Sequence, residues 1–465
     1  MRRSIQGWKS NTFLALEHPQ FRILFAGTLF ATLAYMMMFV AQSVVSFDLG
    51  GTNSAVGLVS MGTGISMLIG SPWGGVIADR VNHKHLIVWG QGAGAVMLAL
   101  TGVLLLLDLV NLPLMFILTL ILGATFVFMG PARNAFTADI VGPRLIGNAV
   151  ALNQLAHSWG MPVAPMIAAL LLESSVGGGG TYVVMGILVS VGVLSMAVMP
   201  NKGKPEQSGK RSPSQDLLDG IRYVAQRPPL RLMILLFMAT VVIGFMFRVL
   251  TPALLEHHLD RPSTDMGLMM TVNGIASAVL AIGVAGLATS RWSWPLIFIL
   301  MGVMGLGYLV MSQAQTYGVA VASMALLGPG LQGPTLLLQA KIVMNTESAY
   351  LGRVTAFTMM SWGVSSVSGG PAGIIADWLG EREVLTGVAL GTFVAVGIGI
   401  LGWLAIRKYE ARAPKIRLTP ETDIRGAQLA VAEDANGEAV VAVPTMPPPP
   451  MLRPVALMSG QKLRN

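Results

Sequence analysis

Twelve apolar stretches, each about as long as a bilayer is thick, constrain this chain more than any other feature. They run approximately over Ile23–Phe47, Ser54–Ile77, Leu86–Leu107, Leu112–Gly130, Ile146–Leu172, Thr181–Met199, Leu232–Leu255, Met266–Ala288, Trp294–Met311, Tyr317–Ala340, Val354–Ala376 and Val384–Ile406. At 1.5 Å per residue, stretches of roughly 18 to 27 residues cross a hydrocarbon core about 30 Å thick. Their apolar character is continuous and does not alternate as in barrel strands, so the spans read as α-helices. Charge is scarce to match: 11% of residues, against about 25% in ordinary soluble domains. A large soluble helical protein would need polar faces on most helices, and they are absent.

The spans divide the chain. Residues 1–20 form an N-terminal segment, 21–199 a first six-helix half, 200–229 a polar loop, 230–406 a second six-helix half and 407–465 a tail. The segment before the first span has Arg2, Arg3 and Lys9 and no apolar core, so it does not read as a cleavable signal peptide, and the first span is expected to act as an uncleaved anchor. The loop holds Pro205, Gly209 and Pro213, then a short helix expected over Gln215–Val224. The tail, polar and then proline-rich at Pro447–Pro450, is expected to be disordered.

Orientation follows from lysine and arginine. With an even number of spans both termini share a side. Placing them in the cytoplasm puts Arg80, Lys84, Arg133, Arg144, Lys202, Lys204, Arg222, Arg227, Arg291, Lys341 and Arg353 in inner loops. It leaves only Arg248, Arg261 and Arg382 towards the outside. The net charge of +8 is therefore explained by topology, and no nucleic-acid surface is expected.

The chain lacks cysteine, which removes disulfides, thiolate metal sites and thiol nucleophiles. No P-loop, His-Glu-x-x-His or Gly-x-Ser-x-Gly occurs, so neither ATP-driven chemistry nor an enzyme is expected. No cofactor or metal is expected either; His257-His258 is a weak metal pattern and reads as a solvated turn. The expected partners are a small-molecule substrate and the lipid bilayer, with the chain acting as a monomer.

The halves echo each other. Gly130-Pro131 ends span four, and Gly333-Pro334 lies in span ten. Leu145-Ile146-Gly147 opens span five as Tyr350-Leu351-Gly352 opens span eleven, and Ala164-Pro165 has its counterpart in Gly370-Pro371. Duplicated six-span units suit secondary transporters.

Several short motifs then carry a family resemblance. They are His18-Pro19-Gln20-Phe21-Arg22 before span one, Gly74-Gly75-Val76-Ile77-Ala78-Asp79-Arg80-Val81 after span two, Gly130-Pro131-Ala132-Arg133, Arg227-Pro228-Pro229-Leu230-Arg231 and Leu351-Gly352-Arg353-Val354. Over roughly residues 15–410 the chain resembles the major facilitator superfamily, and within it the branch of bacterial drug and siderophore exporters similar to the enterobactin exporter. The resemblance implies an all-α membrane protein of twelve transmembrane helices in two six-helix halves. It implies efflux of an amphipathic small molecule by alternating access, multidrug-type proton antiport, and a bacterial inner membrane with both termini cytoplasmic. Two departures stand out. The signature loop continues Asn82-His83-Lys84 where two basic residues are usual, and Met161 occupies the place of a span-five arginine. The repeat partner of the first loop is Gly283–Arg291, which lacks the acid; Asp377 falls at the outer end of span eleven.

For gating, the resemblance singles out Gly75, Asp79, Arg80, Lys84 and Arg353. Asp79 is expected near the start of span eleven, where the helix dipole favours an anion and Arg353 stands. For the substrate and proton pathway, the candidates are Arg133, Asn153, His157, Arg248, Asn273, Gln332 and Trp362. Arg133 fits either an anionic substrate or a pair with Asp139, and snorkelling to the interface is the plainer alternative. His157 fits a proton carrier or a neutral packing residue. Asn153, His157 and Gly160 share a helix face, as do Gln154 and Met161, a strip expected to face a central cavity. No carboxylate lies at the centre of a span, so proton coupling rests on the resemblance alone. Of the 30 methionines, most read as core or lipid-facing, although flexible thioethers also suit promiscuous pockets. Importers built on the same fold, and a receptor or enzyme reusing it, stay open as alternatives.

Overall fold

Helix boundaries fall where the local chemistry stops the backbone. The computed structural model describes residues 14–78, 81–127, 133, 136–137, 139–142, 145–199, 213–284, 286–347, 350–412, 421–422, 428–429, 431–433 and 439–441. The first half contains α1 (Pro19–Gly50), α2 (Asn53–Ala78), α3 (His83–Leu106), α4 (Leu112–Val127), α5 (Ile146–Glu173) and α6 (Gly177–Ala197). The second contains α7 (Pro228–Leu259), α8 (Met266–Val284), α9 (Ser293–Ser312), α10 (Tyr317–Met344), α11 (Leu351–Leu379) and α12 (Glu381–Arg412). Proline starts α1 and α7, where its missing N–H costs nothing. Gly51, at φ +63°, ends α1 in the left-handed region and returns its N–H to the Phe47 carbonyl. Asn82 caps α3 by accepting from the Lys84 and His85 amides at 3.0 and 3.4 Å.

Among the described residues, ten helices are long and apolar enough to cross a membrane. The two further spans expected from the sequence differ from these for separate reasons. Helix α4 is shorter, and the rest of its expected span, to Gly130, lies outside the described residues. Helix α11 has 29 residues but is rich in glycine and serine. It packs closely against α2, where small residues serve better than apolar bulk. A short helix, Pro213–Ala225, occupies the loop between the halves.

Residues 404–465 form a separate unit. Of the tail expected to be disordered, the described residues pair β1 (Glu421–Thr422) with β2 (Gln428–Leu429), and β3 (Val431–Glu433) with β4 (Ala439–Val441), both antiparallel; Leu429, Val431, Val440 and Val441 are β-forming residues.

Apolar packing is distributed unevenly along the bundle. The distal end is the one that carries Gly50, Leu259 and Leu379; the proximal end is the one where α1, α7 and α11 begin. Distally one cluster runs through both halves, joining Phe47, Val56 and Ala168 to Phe245, Leu254 and Ala376. Proximally the halves have separate clusters. Phe21, Leu24, Ile87, Phe136 and Met196 pack together in the first, and Met233, Phe237, Ile297, Leu338 and Val354 in the second.

Candidate functional site

The distal ends of the two halves are tied by hydrogen bonds. The Asp377 carboxylate, near the end of α11, accepts from the backbone N–H groups of Asn53 and Ser54 at 2.8 and 3.0 Å. It thereby caps α2 from the opposite half, where an anion also meets the positive end of the helix dipole. Glu381, at the start of α12, accepts from Asn53 Nδ2 at 2.8 Å. The same carboxylate meets His257 Nδ1 and His258 Nε2, each at 3.0 Å. These histidines, expected in a solvated turn, end α7 and bind a buried carboxylate. The Thr264 hydroxyl donates to Glu173 at 2.8 Å, and the His257 ring lies edge-on to Phe47 with centroids 5.9 Å apart.

Below this tie the helices touch backbone to backbone. A Cβ added at Gly57 would lie 2.3 Å from the carbonyl oxygen of Gly369, and one at Gly373 2.4 Å from that of Asn53. Gly64 and Gly363 meet in the same way farther along α2 and α11. The other seam, between α5 and α8, closes where Gly274 meets Met161 and Gly267 meets Pro165 and Ala169.

A pocket lies among α1, α5, α7, α8 and α10. Arg248 enters it from α7. The guanidinium carbon sits 4.1 Å from the Phe39 ring centroid, 5.5 Å from that of Phe245 and 5.9 Å from that of Phe247. Asn273 and Gln332 line the same pocket, so three sequence candidates from three helices converge. Met36, Met161 and Met270 also line it; Met161 belongs to the strip expected to face a cavity, whereas Met36 and Met270 were legible only as members of a methionine-rich background. Phe39 and Phe247 had no sequence signal beyond apolarity.

The remaining candidates fall elsewhere. His157 stands one turn proximal to Met161 and outside the pocket lining. The strip expected to face the cavity is divided: Gly160 packs towards Thr32 and Met36 of α1, and Gln154 is exposed. Asn153 is half-buried, with its Oδ1 unpartnered. Trp362 packs against the proximal cluster of the second half. Arg133 interacts with Tyr35 of α1. Its suggested partner Asp139 is engaged instead by His83 Nδ1 at 3.1 Å, because the start of α3 brings that ring alongside.

Of the gating candidates, Asp79 and Arg80 lie outside the described residues, and Gly75 falls in the last turns of α2. Lys84 Nζ donates to the Ala197 carbonyl at 3.0 Å and to that of Met199, so it neutralises the carbonyl end of α6 within its own half. Arg353 lies 3.8 Å from Asp219 of the short helix and 5.2 Å from the Tyr350 ring centroid. That helix is docked further by Tyr223, which stacks on Tyr350 at 4.1 Å and accepts the Glu347 N–H at 3.1 Å. Arg227 pairs with Glu347, which holds its guanidinium above the usual range. Among the described residues, no group of three or more His, Asp or Glu side chains could hold a metal ion.

The model of the Major Facilitator Superfamily matches residues 24–370. An enterobactin exporter, EntS, of Shigella boydii serotype 18 is 26% identical over 434 residues, covering 88% of this chain and 98% of the relative. The protein of the same name from Shigella flexneri is 27% identical over 423 residues, with the same coverage. Among solved structures, the nucleoside transporter NupG superposes with a TM-score of 0.68 at 14% identity, over 83% of this chain and 99% of that one. The human organic anion transporter MFSD10 superposes with a TM-score of 0.58 at 16% identity, over 81% and 98%.

Proposed function

The chain belongs to the major facilitator superfamily, and we propose that it exports an amphipathic small molecule by alternating access, driven by proton antiport. One observation carries the mechanism: the halves share a single apolar core distally, whose members line the pocket, and keep separate cores proximally. With the termini in the cytoplasm, as the lysine and arginine distribution favours, the described state is closed to the outside. A substrate entering from the cytoplasm would meet Arg248, Asn273 and Gln332 beneath the distal seam. Rocking the halves would break the distal tie and bring the proximal ends together. Asp79 and Arg353 are assigned to a latch in that second state. The export direction is supported by the relatives named as exporters, as is a bacterial inner-membrane location.

Inverted vesicles containing the protein test the direction. Substrate should accumulate inside them on acidification of the lumen and stop doing so with a protonophore. Accumulation in right-side-out vesicles instead would turn the reading to uptake; flux that ignores the protonophore would remove the proton. Asp79→Asn with unchanged transport would remove the latch.

A further inference from the structure

The pocket contains a charge without a counter-charge. Among the described residues, no carboxylate forms an ion pair with Arg248. Its Nε is buried without a hydrogen-bond partner, and so is Nδ2 of Asn273 in the same pocket. Arginine stays protonated in proteins, so burying it here is costly unless something compensates. The phenyl rings compensate through the guanidinium face, by roughly 0.5–2 kcal/mol for a cation over a ring. They do nothing for the donors in the guanidinium plane. Snorkelling offers no relief distally, because Val249 through Leu255 are buried.

Both orphaned atoms are donors, and one belongs to a cation. Their complement is an acceptor-rich anion. The rest of the lining is apolar and soft, with Met36, Met161 and Met270 around Phe39. Resting on the transporter reading above, we propose that Arg248 and Asn273 form an oxyanion site, so that the substrate is an organic anion with a flat apolar body. A carboxylate or an aromatic enolate would receive the guanidinium fork and the Asn273 amide while its ring lies among the thioethers. Cations and neutral amphiphiles would leave both donors unpaired, and would be rejected for that reason.

The test uses a matched pair of probes, 1-naphthoate and 1-naphthol, which differ in charge at nearly constant shape. Binding to the purified full-length chain is read by thermal shift and titration, separately from flux in vesicles. Naphthoate should stabilise the protein and naphthol should not. Arg248→Gln should weaken naphthoate by about tenfold to a hundredfold, the range expected for a hydrogen bond to a charged group. If Arg248→Gln is not recovered as a monodisperse species, Arg248→Lys serves: it keeps the charge, loses the fork and should bind several-fold more weakly. Equal binding of the two probes, or unchanged naphthoate affinity in either variant, would overturn the anion site. Naphthoate binding without flux of any probe would leave the anion site standing and count against transport. Flux of tetraphenylphosphonium that is indifferent to Arg248→Gln would do the reverse.

Discussion

The distal and proximal ends of the seam between the halves are built from different chemistry. Distally the halves hold each other directly: the Asp377 carboxylate caps α2 of the opposite half, Glu381 binds Asn53, and glycines let backbones touch. Proximally the bonds seen stay within a half or run to the short helix. Lys84 holds the end of α6, Asp219 and Tyr223 bind the short helix to the α10–α11 connection and the start of α11, and Arg227 at the start of α7 pairs with Glu347. On the proposed cycle, the difference teaches that the distal contacts set the preference for the described state, while the proximal contacts keep each half rigid.

Substitution at Gly57 should disturb this contrast most. Even a methyl group there would lie 2.3 Å from a carbonyl oxygen and 2.9 Å from the Gly370 Cα, neither of which can move aside alone. Gly57→Val should hold the distal seam apart, at a cost of about 1–3 kcal/mol or more to the closed state, and abolish transport. Because the chain has no cysteine, Met61→Cys, whose native side chain lies against Gly370, can report opening on a blank background. Impermeant maleimide should label it rapidly in the Gly57→Val protein; labelling as slow as in the parent would refute the seam.

Asp377→Asn comes next. It weakens two charge-assisted bonds across the halves, each worth about 1.5–3 kcal/mol, and should raise the labelling rate at Met61→Cys roughly tenfold. Glu381→Gln should act in the same direction but less, since only its bond from Asn53 crosses between the halves. The smallest effect belongs to Asp219→Asn, because a half-exposed pair at 3.8 Å contributes about 0–1 kcal/mol. Transport should fall less than twofold; a large loss would place the state-setting contact proximally and reverse the comparison.

Much of this was legible in the chain because membrane helices announce themselves by length and apolarity. Twofold repetition and the lysine and arginine bias followed from the same reading. The pocket was legible in part. Arg248, Asn273 and Gln332 stand out as polar residues in apolar helices, and they converge. Phe39 and Met36 do not stand out, since membrane exposure and pocket lining call for the same residue types. His157 and Asn153 stand out equally well and do not line this pocket, because polarity marks a residue without fixing the direction its helix face takes. Asp377 was placed at the outer end of span eleven, but its partners were not legible. Its role depends on Asn53 and Ser54, more than 300 residues earlier in the chain, and no local pattern encodes a cap given to another half.

The glycine contact between α2 and α11 has a kinetic consequence. An ordinary apolar interface interdigitates side chains, and separating it requires many rotamers to reset together. Where Gly57 meets Gly369 and Gly64 meets Gly363 there are no rotamers to reset, and no side-chain entropy changes hands. Such a surface can part and re-form in the same register each cycle, with a low barrier. The rate of exchange is then left to the few polar groups at its rim, which makes turnover adjustable by single substitutions outside the binding pocket.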